Sequence, residues 1–114
     1  MDKQSRRDAV REYKERKPEV GAFVVRCAAT GQAWVSVAKS LDQMQNRLWF
    51  MLRTGGHINR ELQAAWREHG EAAFSYEPLE VLDVEDASPL AVDRMLKDAE
   101  KRWREELGAA KIAG

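Results

Sequence analysis

The sequence predicts an α+β fold, a small three-stranded antiparallel sheet flanked by helices. Three observations predict it. Apolar residues alternate on both sides of Thr30-Gly31, the pattern of a β-hairpin over Gly21–Ser36. Two segments with helical spacing follow, each stopped by glycine. A further strand and a long closing helix complete the chain. That order folds most simply as helices layered on one sheet.

Residues 2–17, DKQSRRDAVREYKERK, favour an added N-terminal helix, with spaced charges at Asp8, Glu12 and Arg16 supporting it. Its sizeable apolar residues are Val10 and Tyr13, so it offers a core only a narrow stripe. Pro18 ends it, because the residue before a proline is pushed out of the α region. The segment reads either as a solvated helix or as a basic arm, Lys3, Arg6, Arg7, Arg11 and Lys14, placed to touch phosphates.

In the hairpin, Phe23, Val25 and Cys27 alternate with Val24 and Arg26, and Ala33 to Ala38 alternates again. Ser40 and Gln43 have the spacing of a capping box, in which each side chain satisfies an orphan N–H at a helix start. Leu41, Met44, Leu48, Met51 and Leu52 then form an apolar stripe that Gly55-Gly56 stops. Asn59 caps a helix over Arg60 to His69, with Leu62, Ala65 and Trp66 inward and Gly70 as terminator. Phe74 to Leu82 reads as a strand whose Pro78 lacks a ladder donor, which argues for an edge or a bulge. Ser88-Pro89 opens the last helix, which runs to Leu107 with Leu90, Val92, Leu96, Trp103 and Leu107 available for the core. Gly108 closes it.

At 114 residues there is room for one core. The expected organisation is a basic helical extension over 1–18, a domain over 19–108 and a frayed tail over 109–114. Formal charge is zero overall, yet residues 1–70 are basic and 71–107 acidic. The single Cys27 excludes an internal disulfide and an all-Cys zinc site and suits a reducing cytosol. The chain has no apolar run of membrane-spanning length and its first residues lack an apolar signal core, so a cytoplasmic chain with no membrane contact is expected. There is no Gly-rich phosphate loop, no paired Cys/His spacing and no Gly-x-Ser-x-Gly elbow, and no small-molecule cofactor is expected.

The hairpin GAF…WVS, with Phe23 and Trp34 eleven residues apart, resembles the Gly-Ile-Tyr and Tyr-Ile-Gly strands of the GIY-YIG nuclease superfamily. Phage homing endonucleases and the incision domain of bacterial excision repair belong to that superfamily. Downstream, GGHINRELQAAWREHGEAAFSYEPLE is similar to the segment where such enzymes carry a His, a Leu-Gln helix, His-Gly and an aromatic strand. Glu100, three residues before Trp103, is similar to the glutamate of the family's last helix. The likeness spans roughly residues 19–107 and implies the fold already predicted.

The resemblance also implies a chemistry, phosphodiester hydrolysis with a divalent cation such as Mg²⁺. The last-helix glutamate holds the metal, hairpin tyrosines handle the water proton and an arginine meets the phosphate. On this chain Glu100 is the implied metal ligand, and His57 stands near the implied site. Gly21 matches the family pattern, but Phe23 and Trp34 replace the two tyrosines and Ser36 replaces a glycine. Counted without gaps, the implied Arg falls on Met44 and a His on Leu48. Loss of a positioned proton-transfer group costs about 10²–10⁴ in rate, and loss of a charge stabiliser about 10²–10³.

Three functions fit these residues. The first is a GIY-YIG-like domain, inactive or weak, that binds DNA through Arg6, Arg7, Arg11, Arg26 and Arg47 or serves as an interaction module. The second is a divergent divalent-metal nuclease using Glu100 and a migrated Arg47, with Phe23, Trp34 and His57 at or near its site. The third is a protein-interaction module with no nucleic-acid role. Without a working site the expected cofactor is none.

Overall fold

A computed structural model describes residues 18–57 and 59–112. The helix expected over 2–17, with Arg6, Arg7 and Arg11, lies outside the described residues. Among them the elements are β1 (Gly21–Cys27), β2 (Ala33–Ala38), α1 (Leu41–Thr54), α2 (Arg60–His69), β3 (Phe74–Val81), α3 (Pro89–Leu107) and β4 (Ala110–Lys111). A single 3₁₀ turn, Glu71–Ala73, leads into β3. No helix among the described residues is long and apolar enough to cross a membrane.

The sheet has strand order β3-β1-β2-β4. β1 and β2 form the expected hairpin, with Val25 opposite Trp34 and Phe23 opposite Ser36. Gly31 takes the positive φ that the turn requires. β3 pairs antiparallel with β1 and forms one edge, the place where Pro78 costs no ladder bond.

β1 is central and buried on both faces, all but Arg26 lying inside. On one face Phe23, Val25, Cys27 and Trp34 pack with Leu41, Leu48, Trp49 and Leu52 of α1, Leu62 and Trp66 of α2, and Phe74 of β3. On the other, Ala22, Val24 and Val35 are buried, and α3, which touches β1 and β2, contributes Leu96 and Ala99. The hairpin is therefore the middle layer of three.

The helix ends follow local chemistry. The Asn59 side chain accepts from the Leu62 N–H, and that of Ser88 from the Ala91 N–H, with Pro89 at the first helical position. Gly55 and Gly108 take left-handed conformations after α1 and α3. The expected capping box at Ser40 is absent, because the Ser40 side chain makes no capping bond. Instead the Leu41 N–H donates to the Glu19 carbonyl at 2.8 Å, tying the helix start to the residues before β1.

Three further expectations are corrected. The sheet has four strands rather than three, since β4 adds in parallel beside β2 with Lys111 opposite Val35. The stretch expected to fray is held through residue 112: Ile112 is buried, its N–H donates to Val35, and the Asn59 amide donates to the Lys111 and Ile112 carbonyls. Leu90 is 65% exposed rather than core, as it lies in the first turn of α3 ahead of the buried Leu96 and Ala99.

Pairing of β1 with β3 slips between Ala22 and Phe23, leaving Leu79 as the extra residue of a bulge beside Pro78. There the Glu80 carbonyl lies against Gly21 so closely that a Cβ on Gly21 would run into it. Gly21 is therefore required by close approach of two backbones and not by a left-handed φ. Gly21→Ala is expected to lower unfolding free energy by roughly 1–3 kcal/mol through overpacking, read from denaturant midpoints. An unchanged midpoint would show that β3 yields freely at its bulge.

Candidate functional site

The two hairpin positions that carry the resemblance are core. Phe23 and Trp34 are each 1% exposed. Phe23 lies on the Tyr76 ring with centroids 4.9 Å apart, and Trp34 stacks on Phe74 at 6.3 Å. The implied Arg and His positions have the same character: Leu48 is 1% exposed and Met44 packs half-buried against the cluster. Hydrocarbon occupies each place where the family chemistry calls for a hydroxyl, a cation or an imidazole.

Tyr76 is the residue that sequence reasoning passed over. Its phenol stands beside Phe23, and it is the one tyrosine among the described residues. The hydroxyl donates to the Leu41 carbonyl at 2.9 Å. Burial, with a smaller effect from Asp42, pushes its pKa up to about 12. Such a phenol stays protonated and already spends its proton on α1. It ties β3 to a helix start and is poorly suited to proton transfer.

His57 lies in the loop between α1 and α2, half-buried. Its Nδ1 accepts from the Asn59 N–H at 3.0 Å, and its own N–H donates to Gln63 Oε1 at 3.1 Å. The buried Gln63 amide in turn donates to the Leu52 carbonyl at 2.9 Å. These bonds make His57 part of the joint that positions Asn59. Arg47 is exposed on α1, and Arg26 is committed to Glu77 at 2.8 Å.

Glu100 sits on α3, on the opposite sheet face from α1 and Arg47. Among the described residues Phe23, Trp34, Arg47, His57 and Glu100 share no hydrogen bond or ion pair with one another. The Glu100 carboxylate, 15% exposed, faces the Lys111 ammonium of β4 at 3.9 Å. The helix-surface pair with Arg104 that the i, i+4 spacing suggests is not the one formed.

Around this pair an open groove of about 610 Å³ is lined by Lys97, Glu100, Lys101, Arg104, Glu105, Gly108, Ala109 and Lys111. Positions 97, 100, 101, 104 and 105 fall on one helical stripe, and β4 closes the far side. The groove thus holds four cations against two carboxylates within the acidic last third of the chain. The stripe belongs to α3 alone, and β4 brings Lys111 to it.

The same donor set bears on the implied metal. No three of His, Cys, Asp and Glu converge among the described residues. Hard divalent cations take several oxygen ligands, and here one partly buried carboxylate has the Lys111 ammonium at 3.9 Å and shares its groove with Lys97, Lys101 and Arg104. Like charges this close disfavour a further cation. These residues do not fit a divalent metal ion.

No protein-family model and no curated protein matches the sequence significantly. Solved structures do match. The catalytic domain of the homing endonuclease I-TevI superposes with a TM-score of 0.68 at 22% identity, covering 84% of this chain and 100% of that one. The catalytic domain of the intron endonuclease I-TevI, in a mutant form, gives 0.69 at 21% identity, covering 83% and 94%. The chain therefore has the fold of a GIY-YIG nuclease catalytic domain, and the expected α+β architecture and family resemblance stand on it.

The His57 loop makes a pH prediction. Burial lowers the imidazole pKa from its ordinary 6.5, and protonating Nδ1 would also break its bond from Asn59. The unfolded chain therefore binds the proton more readily, so stability is full above about 6.5 and falls as pH drops toward the folded value. The melting temperature is expected to fall below pH about 6.5, and His57→Gln to flatten that segment. Glu71, held below its ordinary range chiefly by the Arg53 hydrogen bond, acts at lower pH and leaves a separate step. A melting temperature independent of pH between 7 and 5.5 would count against the loop role.

Proposed function

We propose that this chain is a nucleic-acid-binding domain built on the GIY-YIG nuclease fold, with the catalytic positions converted to core, so that it binds DNA without cutting it. One observation carries the reading: Phe23, Trp34 and Leu48 are each 1% exposed and hydrocarbon-packed. A substrate phosphate and its attacking water reach none of them. The missing proton-transfer and charge-stabilising groups together leave far less than a working enzyme, each worth about two or more orders of magnitude in rate.

DNA is the partner because the structural neighbours are endonuclease catalytic domains and because cations collect in one groove of a chain with zero formal charge. Phosphate neutralisation by such cations gives sequence-independent affinity that falls steeply with salt. The residues before Pro18 carry a further excess of basic side chains in the sequence. The divergent-nuclease reading requires Arg47 and Glu100 at one site, while α1 and α3 stand on opposite faces of the sheet.

Plasmid nicking and DNA titration separate the three functions. With Mg²⁺ or Mn²⁺ the protein is expected to leave supercoiled plasmid intact, while binding a labelled duplex with affinity that drops as salt rises. Metal-dependent nicking that disappears in Glu100→Ala would establish the nuclease instead. Absence of binding at every salt concentration would leave the protein-interaction role.

A further inference from the structure

We infer that the groove between α3 and β4 is a metal-independent site for backbone phosphates of a nucleic acid, with the Lys111 ammonium standing beside Glu100 where the family resemblance puts a divalent cation. The inference rests on the DNA-binding reading above and adds to it the site and its mode.

Lys111 carries the assignment because its position is fixed. It pairs through β4 with Val35 of β2, opposite the central part of the hairpin. The Asn59 amide clamps the carbonyls of Lys111 and Ile112 at 3.0 and 2.8 Å, and Ile112 is buried just beyond. A lysine on a free tail would lose much chain entropy on engaging a ligand, whereas this one has already lost it. Its ammonium, 3.9 Å from Glu100, supplies one built-in positive charge at that carboxylate without any ion drawn from solution.

The other groups in the groove call for an anion. Lys97, Lys101 and Arg104 share the stripe of α3 with Glu100, and their charge exceeds that of Glu100 and Glu105 even before Lys111 is counted. Among the described residues the Arg104 Nε is shielded from water and without a hydrogen-bond partner. That nitrogen is closed to a ligand, so Arg104 contributes to the groove through its charge. The groove is open rather than enclosed, which suits a phosphate on a polymer that enters and leaves along the surface. A divalent metal would have to displace Lys111 and then sit among three more cations.

The test is fluorescence anisotropy with a labelled 20-base-pair duplex, titrated with salt in EDTA and again in Mg²⁺. Binding is expected to survive EDTA unchanged. Lys97→Gln and Lys101→Gln, on the exposed side of α3, are each expected to weaken binding roughly eightfold at 0.1 M salt and to lower the salt slope by about 0.9. Circular dichroism melts confirm that these variants fold. Glu100→Gln is expected to tighten binding, because it removes a negative charge from the phosphate site. Loss of binding in EDTA, or in Glu100→Gln, would overturn the inference in favour of a metal bridge. Groove variants that bind like the parent would overturn the site while leaving the DNA-binding reading intact. A parent protein that binds no duplex at any salt overturns both.

Discussion

The central position of β1 governs the rest of the structure. With β3 and β2 on its two edges and helices on both faces, this strand has no side open to solvent except at Arg26. A side chain there must be apolar or must find a partner inside, since an uncompensated buried polar group costs several kcal/mol at worst. Phe23 meets that demand outright. Trp34 on the neighbouring strand meets it by stacking on Phe74, and together they let Leu48 and Met44 come down on the sheet. The apolar character of Phe23, Trp34, Met44 and Leu48 is one packing pattern seen at four places. Each apolar residue makes a polar neighbour more expensive. The only phenol among the described residues that approaches the same cluster, Tyr76, is admitted because its hydroxyl finds a helix carbonyl.

Much of this fold was legible in the sequence, and the reasons are local. Period-2 alternation, Thr30-Gly31, Asn59, Ser88-Pro89 and four stop glycines each act through the chain within a few residues, so they can be read one at a time. Pro78 announced an edge or a bulge, and the structure has both. β4 was hidden because two residues have no period; it exists through Asn59, fifty residues away, and through the burial of Ile112. Ser40 was misleading for a similar reason. Its capping box matched locally, but its side chain makes no capping bond, and the helix start is tied to the strand side through the Leu41 N–H and the Glu19 carbonyl.

The candidate site divides along the same line. That Phe23, Trp34, Met44 and Leu48 lack the family chemistry follows from their identities alone. That they form core depends on which faces the helices cover, a tertiary fact. Glu100 and Arg104 have the spacing of a helix-surface pair, and nothing local in the sequence brings Lys111 to them. Once β4 returns beside β2, Glu100 faces Lys111 instead, and the stripe of Lys97, Lys101 and Arg104 becomes the wall of a groove.

On the proposed reading, this arrangement bears on how a nuclease fold carries a nucleic-acid surface without the family chemistry. A reaction at phosphorus needs charge placed to within fractions of an ångström and a base for water. Binding a phosphate needs only positive potential and a few donors, and it tolerates displacement of either. The two requirements therefore decay differently when a core is repacked. On the proposed reading, apolar side chains in the middle layer leave no hydroxyl at Phe23 or Trp34, and the nearby Tyr76 hydroxyl is bonded to the Leu41 carbonyl. Cations on the outside of α3 are untouched by the repacking, and Lys111 depends on β2 and Asn59 rather than on the Phe23 layer. On the proposed reading, burial closes the middle layer to proton transfer while the outer groove keeps a charge pattern that suits phosphate.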